Sequence, residues 1–158
     1  MSIQIGEKVP NVELKIMGEQ GPESVQTDDL LAGKKVVLFA VPGAFTPGCS
    51  VTHLPGFVVN ADAIKAKGVD SIICTSVNDA FVMDAWGKHQ NAEEIIMLAD
   101  GIGNLAEAVG LEKDLTEVQF GVRSQRYAMI LNDAVVEYLG IDDKGVDKSS
   151  AETILAQL

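Results

Sequence analysis

The sequence has little cysteine, little positive charge and no long apolar run. A secreted scaffold held together by disulfides needs more than the two cysteines found in these 158 residues. The 12 lysines and arginines stand against 23 acids, a net charge of −11, which disfavours binding to nucleic acid or anionic lipid. No apolar run is long enough to cross a bilayer. The N-terminus shows no basic region before an apolar stretch, so we expect no secretory signal and a cytoplasmic protein.

What the sequence does contain is an alternation of apolar strands and helical segments. The continuous apolar runs at 34–41 and 69–77 are typical of strands buried on both faces. The predicted strands are 12–17 (an edge strand), 34–41, 69–77, 94–99, 126–131 and 134–139. The predicted helices are 27–31, 54–67 (with an irregular first turn at Pro55), 79–89, 103–109 and 149–158. The order predicts one α/β domain over residues 1–158, with a mixed sheet and helices on both faces. Asn132–Asp133 is the expected turn of a terminal hairpin.

Cys49 lies where a predicted central strand has ended and a helix is about to begin. The free backbone N–H groups and the dipole of a helix start favour an anion, and the thiolate is the nucleophilic form of cysteine. Thr46 precedes Cys49 by three residues, so its hydroxyl can reach the sulfur. Gly43 and Gly48 let the backbone approach a ligand, and Pro42 stiffens the loop. The alternative is that Cys49 is a small buried core residue, the commoner fate of a free cysteine.

These residues carry a resemblance to a known family. The pattern P-x-x-x-T-x-x-C from Pro42 to Cys49 resembles the signature of the peroxiredoxins. The longer stretch 41–57 is similar to their atypical type II, or peroxiredoxin-5-like, branch, and the segments 85–87 and 126–129 extend the resemblance over the chain. It implies a thioredoxin-like three-layer fold and an antioxidant thiol peroxidase without a cofactor. The expected substrates are hydrogen peroxide and small alkyl hydroperoxides, which oxidise the peroxidatic cysteine to a sulfenic acid.

The resemblance also implies the roles of the surrounding residues. Pro42 shields the sulfur, Thr46 forms a hydrogen bond with the thiolate and the peroxide, and the backbone at Gly48 lines the substrate pocket. Arg126 favours the thiolate and polarises the O–O bond, as a cation beside sulfur would. Arg123, three residues earlier, is the second choice for this role.

Two routes remain open for reducing the sulfenic acid. Cys74 lies in the second buried strand, where some members of the branch place a cysteine that forms a disulfide with Cys49. Others use a cysteine near the C-terminus, which segment 146–150 lacks. Either Cys74 resolves the sulfenic acid and thioredoxin recycles the disulfide, or an external thiol reduces Cys49, either glutathione with glutaredoxin or thioredoxin directly. We favour glutathione with glutaredoxin, because relatives without the C-terminal cysteine resemble that type; a buried Cys74 is more often inert packing.

Aromatic residues are scarce, and one of them lies in the loop that precedes Cys49. Phe45 would be exposed in a monomer, which favours an apolar contact in a homodimer beside the site; the resemblance implies such a dimer too. Phe81, Trp86 and Phe120 are interpreted as core residues.

Several other readings carry less weight. The pattern G-x-G-x-x-A at 101–106 follows the third strand rather than the first, so we interpret it as a tight turn and not as a dinucleotide site.

His53, four residues after Cys49, is expected to pack or to form a hydrogen bond rather than to act as a base. With two cysteines and two histidines in the chain, we expect no metal site. A thiol–disulfide oxidoreductase would need C-x-x-C, but Thr46 stands at the first position. A non-enzymatic redox-sensing module is the remaining alternative.

Overall fold

The computed structural model describes residues 1–158. The strands are β1 (Glu13–Gly18), β2 (Gly21–Gln26), β3 (Lys35–Ala40), β4 (Ser71–Ser76), β5 (Ile96–Ala99), β6 (Glu112–Asp114), β7 (Val122–Ser124), β8 (Arg126–Asn132) and β9 (Val135–Asp142). The helices are α1 (Thr27–Leu31), α2 (Leu54–Ala66), α3 (Ala80–His89), α4 (Asn104–Ala108) and α5 (Ala151–Gln157), with a π-helical turn at Cys49–His53 and a 3₁₀ turn at Thr116–Val118. None of these helices combines the length and the apolar character that crossing a membrane requires.

Seven strands form one mixed sheet in the order β2-β1-β5-β4-β3-β8-β9. The three strands at its centre, β3, β4 and β5, run parallel; β8 pairs antiparallel with β3, and β9 pairs antiparallel with β8. Residues 36–40 of β3 are all buried, as expected for a strand covered on both faces. Strands β6 and β7 form a separate antiparallel pair.

The sheet separates two apolar layers, because successive residues of a strand point to opposite faces. On one face, Phe39 of β3 packs in a cluster with apolar residues of α2, α3 and α5. On the other face, Leu38 of β3 packs in a cluster with Leu31 of α1 and Leu105 of α4. The predicted mixed sheet with helices on both faces is confirmed.

Three local predictions were wrong. Strand β2 was not predicted, and because it pairs with β1, the edge strand is β2. The short strands β6 and β7 were also missed. The hairpin turn lies one residue later than predicted: Asn132 pairs with Val135, and Asp133 and Ala134 adopt left-handed backbone conformations with φ of 50° and 67°. The Asp133 side chain accepts a hydrogen bond from the Gly33 amide at 2.7 Å and Ala134 is buried, so tertiary contacts select this turn.

The helix that follows Cys49 begins irregularly, as predicted. Pro55 has no N–H group, so it cannot donate the hydrogen bond that a regular helix would make to the carbonyl of Val51. The chain from Cys49 to His53 forms a π-helical turn and becomes α-helical at Leu54. Pro55 thus allows a widened first turn in the segment that carries Cys49.

Candidate active site

The sulfur of Cys49 is buried at the start of the π-helical turn and faces the hydroxyl of Thr46. The Ser50 amide donates to the Thr46 carbonyl at 2.9 Å, which closes the loop into a first helical turn. Thr46 Oγ1 lies 2.9 Å from Cys49 Sγ and 2.7 Å from the carbonyl oxygen of Gly43. A hydroxyl has one hydrogen to donate. When the sulfur is a thiol, the Thr46 hydroxyl can donate to the Gly43 carbonyl while the S–H group donates to Oγ1. When the sulfur is a thiolate, the Thr46 hydroxyl donates to the sulfur instead.

The guanidinium of Arg126 approaches the same sulfur from β8. Arg126 is the first residue of β8, and the next residue, Tyr127, pairs with Ala40 at the end of β3. Its side chain therefore projects beside the loop that follows β3. Nη2 donates to Cys49 Sγ at 3.2 Å. A Cβ atom placed on Gly48 would lie 3.2 Å from Nη2, so a glycine there gives the guanidinium room.

His53 holds the other end of the Arg126 guanidinium. Arg126 Nη1 lies 2.7 Å from His53 Nδ1, and His53 Nε2 lies 2.9 Å from the carbonyl oxygen of Ser149. A carbonyl only accepts and a guanidinium only donates, so Nε2 carries the hydrogen and Nδ1 is the acceptor. The pKa of His53 is lowered to about 4, mainly by burial and also by the Arg126 charge, although the Ser149 hydrogen bond and the Asp142 charge oppose the shift. The ring is therefore neutral at pH 7.

The contact between His53 and Arg126 is the feature of the site that sequence reasoning did not find. A hydrogen-bonding role for His53 was expected, but its partner lies 73 residues further along the chain. The only sequence signal was the spacing of four residues from Cys49, which places His53 about one helical turn away from the sulfur.

Arg123, the second choice for the cation at the sulfur, lies at the rim of the site. Its Nε donates to the Phe120 carbonyl at 3.0 Å, and its guanidinium carbon lies 5.1 Å from the centre of the Phe120 ring. Nη1 reaches the carbonyl of Pro42 at 3.4 Å. The structure thus brings Arg126, and not Arg123, into hydrogen-bonding distance of Cys49.

Cys74 lies in the middle of β4, where it pairs with Phe39 of β3. It is fully buried, in the same apolar cluster as Cys49, and both thiols are free. Burial raises the pKa of the Cys74 thiol well above its ordinary range, and the neighbouring Cys49 adds to this effect. Cys74 is therefore a neutral thiol in this conformation.

The aromatic residues near the site divide into exposed and buried ones. Phe45 is 50% exposed and has a left-handed backbone conformation (φ 65°) in the loop before Cys49. Phe81 and Phe120 are also exposed, so their assignment to the core was wrong: each side chain lies on a surface segment. Trp86 is a core residue, and its Nε1 donates to the hydroxyl of Ser50 at 3.0 Å, directly beside Cys49.

The segment 101–106 forms the turn that was predicted from its glycines. Gly103 has a left-handed φ of 78° and precedes the five-residue helix α4. The carboxylate of Asp100 accepts hydrogen bonds from the amides of Leu105 and Ala106 at 3.0 and 2.9 Å. The amides that a phosphate group would use at this helix start are thus occupied by the protein's own side chain.

The contacts around the Cys49 sulfur, together with the mixed sheet, indicate the class of protein to which the chain belongs. A buried sulfur at a helix start, in contact with a hydroxyl and a guanidinium, has the surroundings of a nucleophilic cysteine. The chain is accordingly an α/β thiol enzyme.

Comparison with known proteins gives the family. A sequence profile of the Redoxin family matches residues 4–155. The chain is 44% identical over 159 residues to "Peroxiredoxin-2D" of Arabidopsis thaliana, covering 99% of this chain and 98% of that protein. It is 54% identical to reduced Prx3 from Vibrio vulnificus, solved in complex with H2O2, with a TM-score of 0.95 and 98% of both chains covered. Peroxiredoxin 5 from Alvinella pompejana is 33% identical, with a TM-score of 0.86 and 98% and 96% of the chains covered.

The chain belongs to the Redoxin family and is a type II peroxiredoxin. The predicted thioredoxin-like fold is confirmed by these structures. The protein is a thiol peroxidase, and Cys49 is its peroxidatic cysteine.

Proposed function

We propose that the chain acts as a single domain, residues 1–158, that reduces hydrogen peroxide and small alkyl hydroperoxides with the help of Thr46 and Arg126. The observation that supports this most directly is the convergence of two donors on Cys49 Sγ, at 2.9 and 3.2 Å. The thiolate attacks one peroxide oxygen, the S–O bond forms and the O–O bond breaks. The leaving oxygen takes a proton and departs as water or an alcohol, and Cys49 is left as a sulfenic acid.

Arg126 and Thr46 act on charge in this reaction. The guanidinium stabilises the thiolate and then the charge that develops on the leaving oxygen, and a donor placed in this way contributes a factor of about 10²–10³ to the rate. The Thr46 hydroxyl stabilises the thiolate. Pro42 shields the sulfur from water, and the backbone at Gly48 lines the space that the peroxide enters. Because Cys49 is fully buried, a small oxidant has the easiest access to its sulfur.

We propose that glutathione, followed by glutaredoxin, returns Cys49 to the thiol. A glutathione thiol attacks the sulfenic sulfur, a mixed disulfide forms and water leaves; glutaredoxin then removes the glutathione. The state of Cys74 supports an external reductant, because the thiolate is the attacking form and burial of Cys74 opposes its ionisation. In the alternative, Cys74 forms a disulfide with Cys49 that thioredoxin reduces. That route requires the π-helical turn to shift until the two cysteines reach disulfide geometry.

The exposed Phe45 ring supports a homodimer contact beside the active site. The two free thiols fit a reducing compartment, and we propose that the protein acts in the cytoplasm. These two proposals are independent of the chemistry at Cys49.

Mass spectrometry and kinetics on matched variants test the proposal. Wild type and Cys74→Ser are treated with one equivalent of H2O2 and then with glutathione. We expect a sulfenic acid and then a glutathione adduct on Cys49 in both proteins, with continuous peroxide consumption once glutaredoxin is added. Cys49→Ser should consume none. A Cys49–Cys74 disulfide in the wild type would support the thioredoxin route instead, and oxidation without turnover would support the redox-sensing module.

A further inference from the structure

Asp142 and Arg126 are opposite charges at paired positions of two strands, yet they form no ion pair. Asp142 ends β9, and the register places it directly across from Arg126 at the start of β8. Oppositely charged residues at such positions usually attract each other. Here the two terminal nitrogens of Arg126 contact His53 and Cys49 instead. The competing carboxylate must therefore be satisfied by other groups.

Four hydrogen bonds from the segment 147–149 satisfy the Asp142 carboxylate. Oδ2 accepts from the Asp147 amide (2.9 Å), the Ser149 amide (2.8 Å) and the Ser149 hydroxyl (2.6 Å), and Oδ1 accepts from the Lys148 amide (3.1 Å). Burial alone raises the pKa of Asp142, but these hydrogen bonds outweigh it and bring the pKa below its ordinary value. The carboxylate is charged at neutral pH and fixes the segment that surrounds it.

The same segment supplies the carbonyl that orients His53. Ser149 is fully buried, and its carbonyl oxygen accepts from His53 Nε2 at 2.9 Å. The Asp142 carboxylate fixes both the amide and the hydroxyl of that residue. A continuous series of hydrogen bonds therefore runs from Asp142 through Ser149, His53 and Arg126 to Cys49.

We propose that Asp142 is a positioning residue for peroxide reduction, which holds the Ser149 carbonyl so that His53 accepts from Arg126 and Arg126 stays on the sulfur. This inference rests on the proposed role of Arg126. When the carboxylate is lost, the Ser149 carbonyl is no longer fixed, and the His53 ring can place its hydrogen on either nitrogen. A hydrogen on Nδ1 cannot coexist with the Arg126 contact, since a guanidinium only donates. The sulfur then loses one of its two donors.

The test compares Asp142→Asn with Asp143→Asn. The control removes the same charge one residue later, where the side chain is 88% exposed and its only ion pair is a long one with Lys113 at 3.9 Å. The rate constant for H2O2 is followed by the fluorescence of Trp86, the single tryptophan, which contacts Ser50 beside the sulfur. Losing a charge-assisted hydrogen bond to the sulfur should slow Asp142→Asn about tenfold. Asp143→Asn should match the wild type.

A second readout separates positioning from mere stability. The chain has two histidines, so ¹⁵N NMR resolves the ring nitrogens of His53 and reports which one is protonated. We expect the Nε2–H tautomer in the wild type and a mixture of the two tautomers in Asp142→Asn. If Asp142→Asn does not fold, Ser149→Ala replaces it. That variant removes one donor and keeps the backbone, and should slow the reaction about threefold.

Each outcome decides between the proposals. A normal rate and an unchanged His53 tautomer in Asp142→Asn, or in Ser149→Ala, would overturn the positioning role. So would a rate loss that only follows the unfolded fraction in thermal melts. If Arg126→Lys also reacts at the wild-type rate, the proposed role of Arg126 fails as well. A slow Arg126→Lys beside a normal Asp142→Asn overturns this inference alone.

Discussion

The burial of a neutral His53 should make the stability of the protein fall in mild acid. The ordinary pKa of a histidine is 6.5, and in the folded protein the pKa of His53 is about 4. Between these two pKa values, His53 binds a proton in the unfolded chain but not in the folded chain. The free energy of unfolding therefore falls as the pH falls. At ~1.4 kcal/mol per pH unit, the gap between 6.5 and about 4 amounts to ~3 kcal/mol. This loss is a large part of the 5–15 kcal/mol typical of a domain of this kind.

Urea unfolding of wild type and His53→Gln at pH 7, 5.5 and 4 measures this effect. Glutamine offers a donor for Ser149 and an acceptor for Arg126 but does not titrate, and the carboxylates common to both proteins cancel in the difference. We expect the wild type to lose ~3 kcal/mol more than the variant between pH 7 and pH 4, with most of that difference below pH 6.5. Parallel curves for the two proteins would refute the reasoning, since they would show that folded His53 accepts a proton without cost beside Arg126.

Three further predictions concern single contacts. Arg126→Lys should lower the rate constant for H2O2 by ~10²-fold in stopped-flow kinetics, because one ammonium cannot contact both His53 and the sulfur, whereas Arg123→Lys should leave it nearly unchanged. Thr46→Val should slow the same reaction by ~10²-fold and Thr46→Ser should not, because only the hydroxyl contacts the sulfur; equal losses would contradict this. Gly140→Ala should lower the free energy of unfolding by ~2–3 kcal/mol in urea, since its Cβ would lie 2.2 Å from the Lys148 carbonyl oxygen.

The elements that could be predicted from sequence are those in which burial imposes a pattern. The strands at 35–40 and 71–76 stand out because both of their faces are covered. Helix α3 begins at Ala80, directly after Asp79, whose side chain caps it. Strand β2 could not be recognised, because it is mostly exposed and forms only by pairing with β1. The strands β6 and β7, three residues each, are too short to show a periodicity.

In the active site, too, contacts between residues close in sequence could be predicted, whereas contacts between distant residues could not. Thr46 and Cys49 are three residues apart on one turn, so their contact follows from the sequence. The choice of Arg126 depended on a family resemblance, since no spacing rule connects positions that are 77 residues apart. The contact between His53 and Ser149 spans 96 residues and involves a backbone carbonyl, which has no signature in the side-chain sequence. Such contacts are consequences of the sheet order, which becomes visible only in three dimensions.

The single hydrogen of the Thr46 hydroxyl has a consequence for the kind of oxidant that suits the site. When the sulfur ionises and recruits that hydrogen, the carbonyl of the buried Gly43 loses the hydroxyl donor at 2.7 Å and keeps only the Thr46 amide at 3.4 Å. A buried carbonyl oxygen with one long hydrogen bond has a lone pair available for a second donor. Hydrogen peroxide and alkyl hydroperoxides bring an O–H group with them, whereas a dialkyl peroxide brings none. Ionisation of the Cys49 sulfur thus leaves the Gly43 carbonyl able to accept a hydrogen bond from the O–H group of a hydroperoxide.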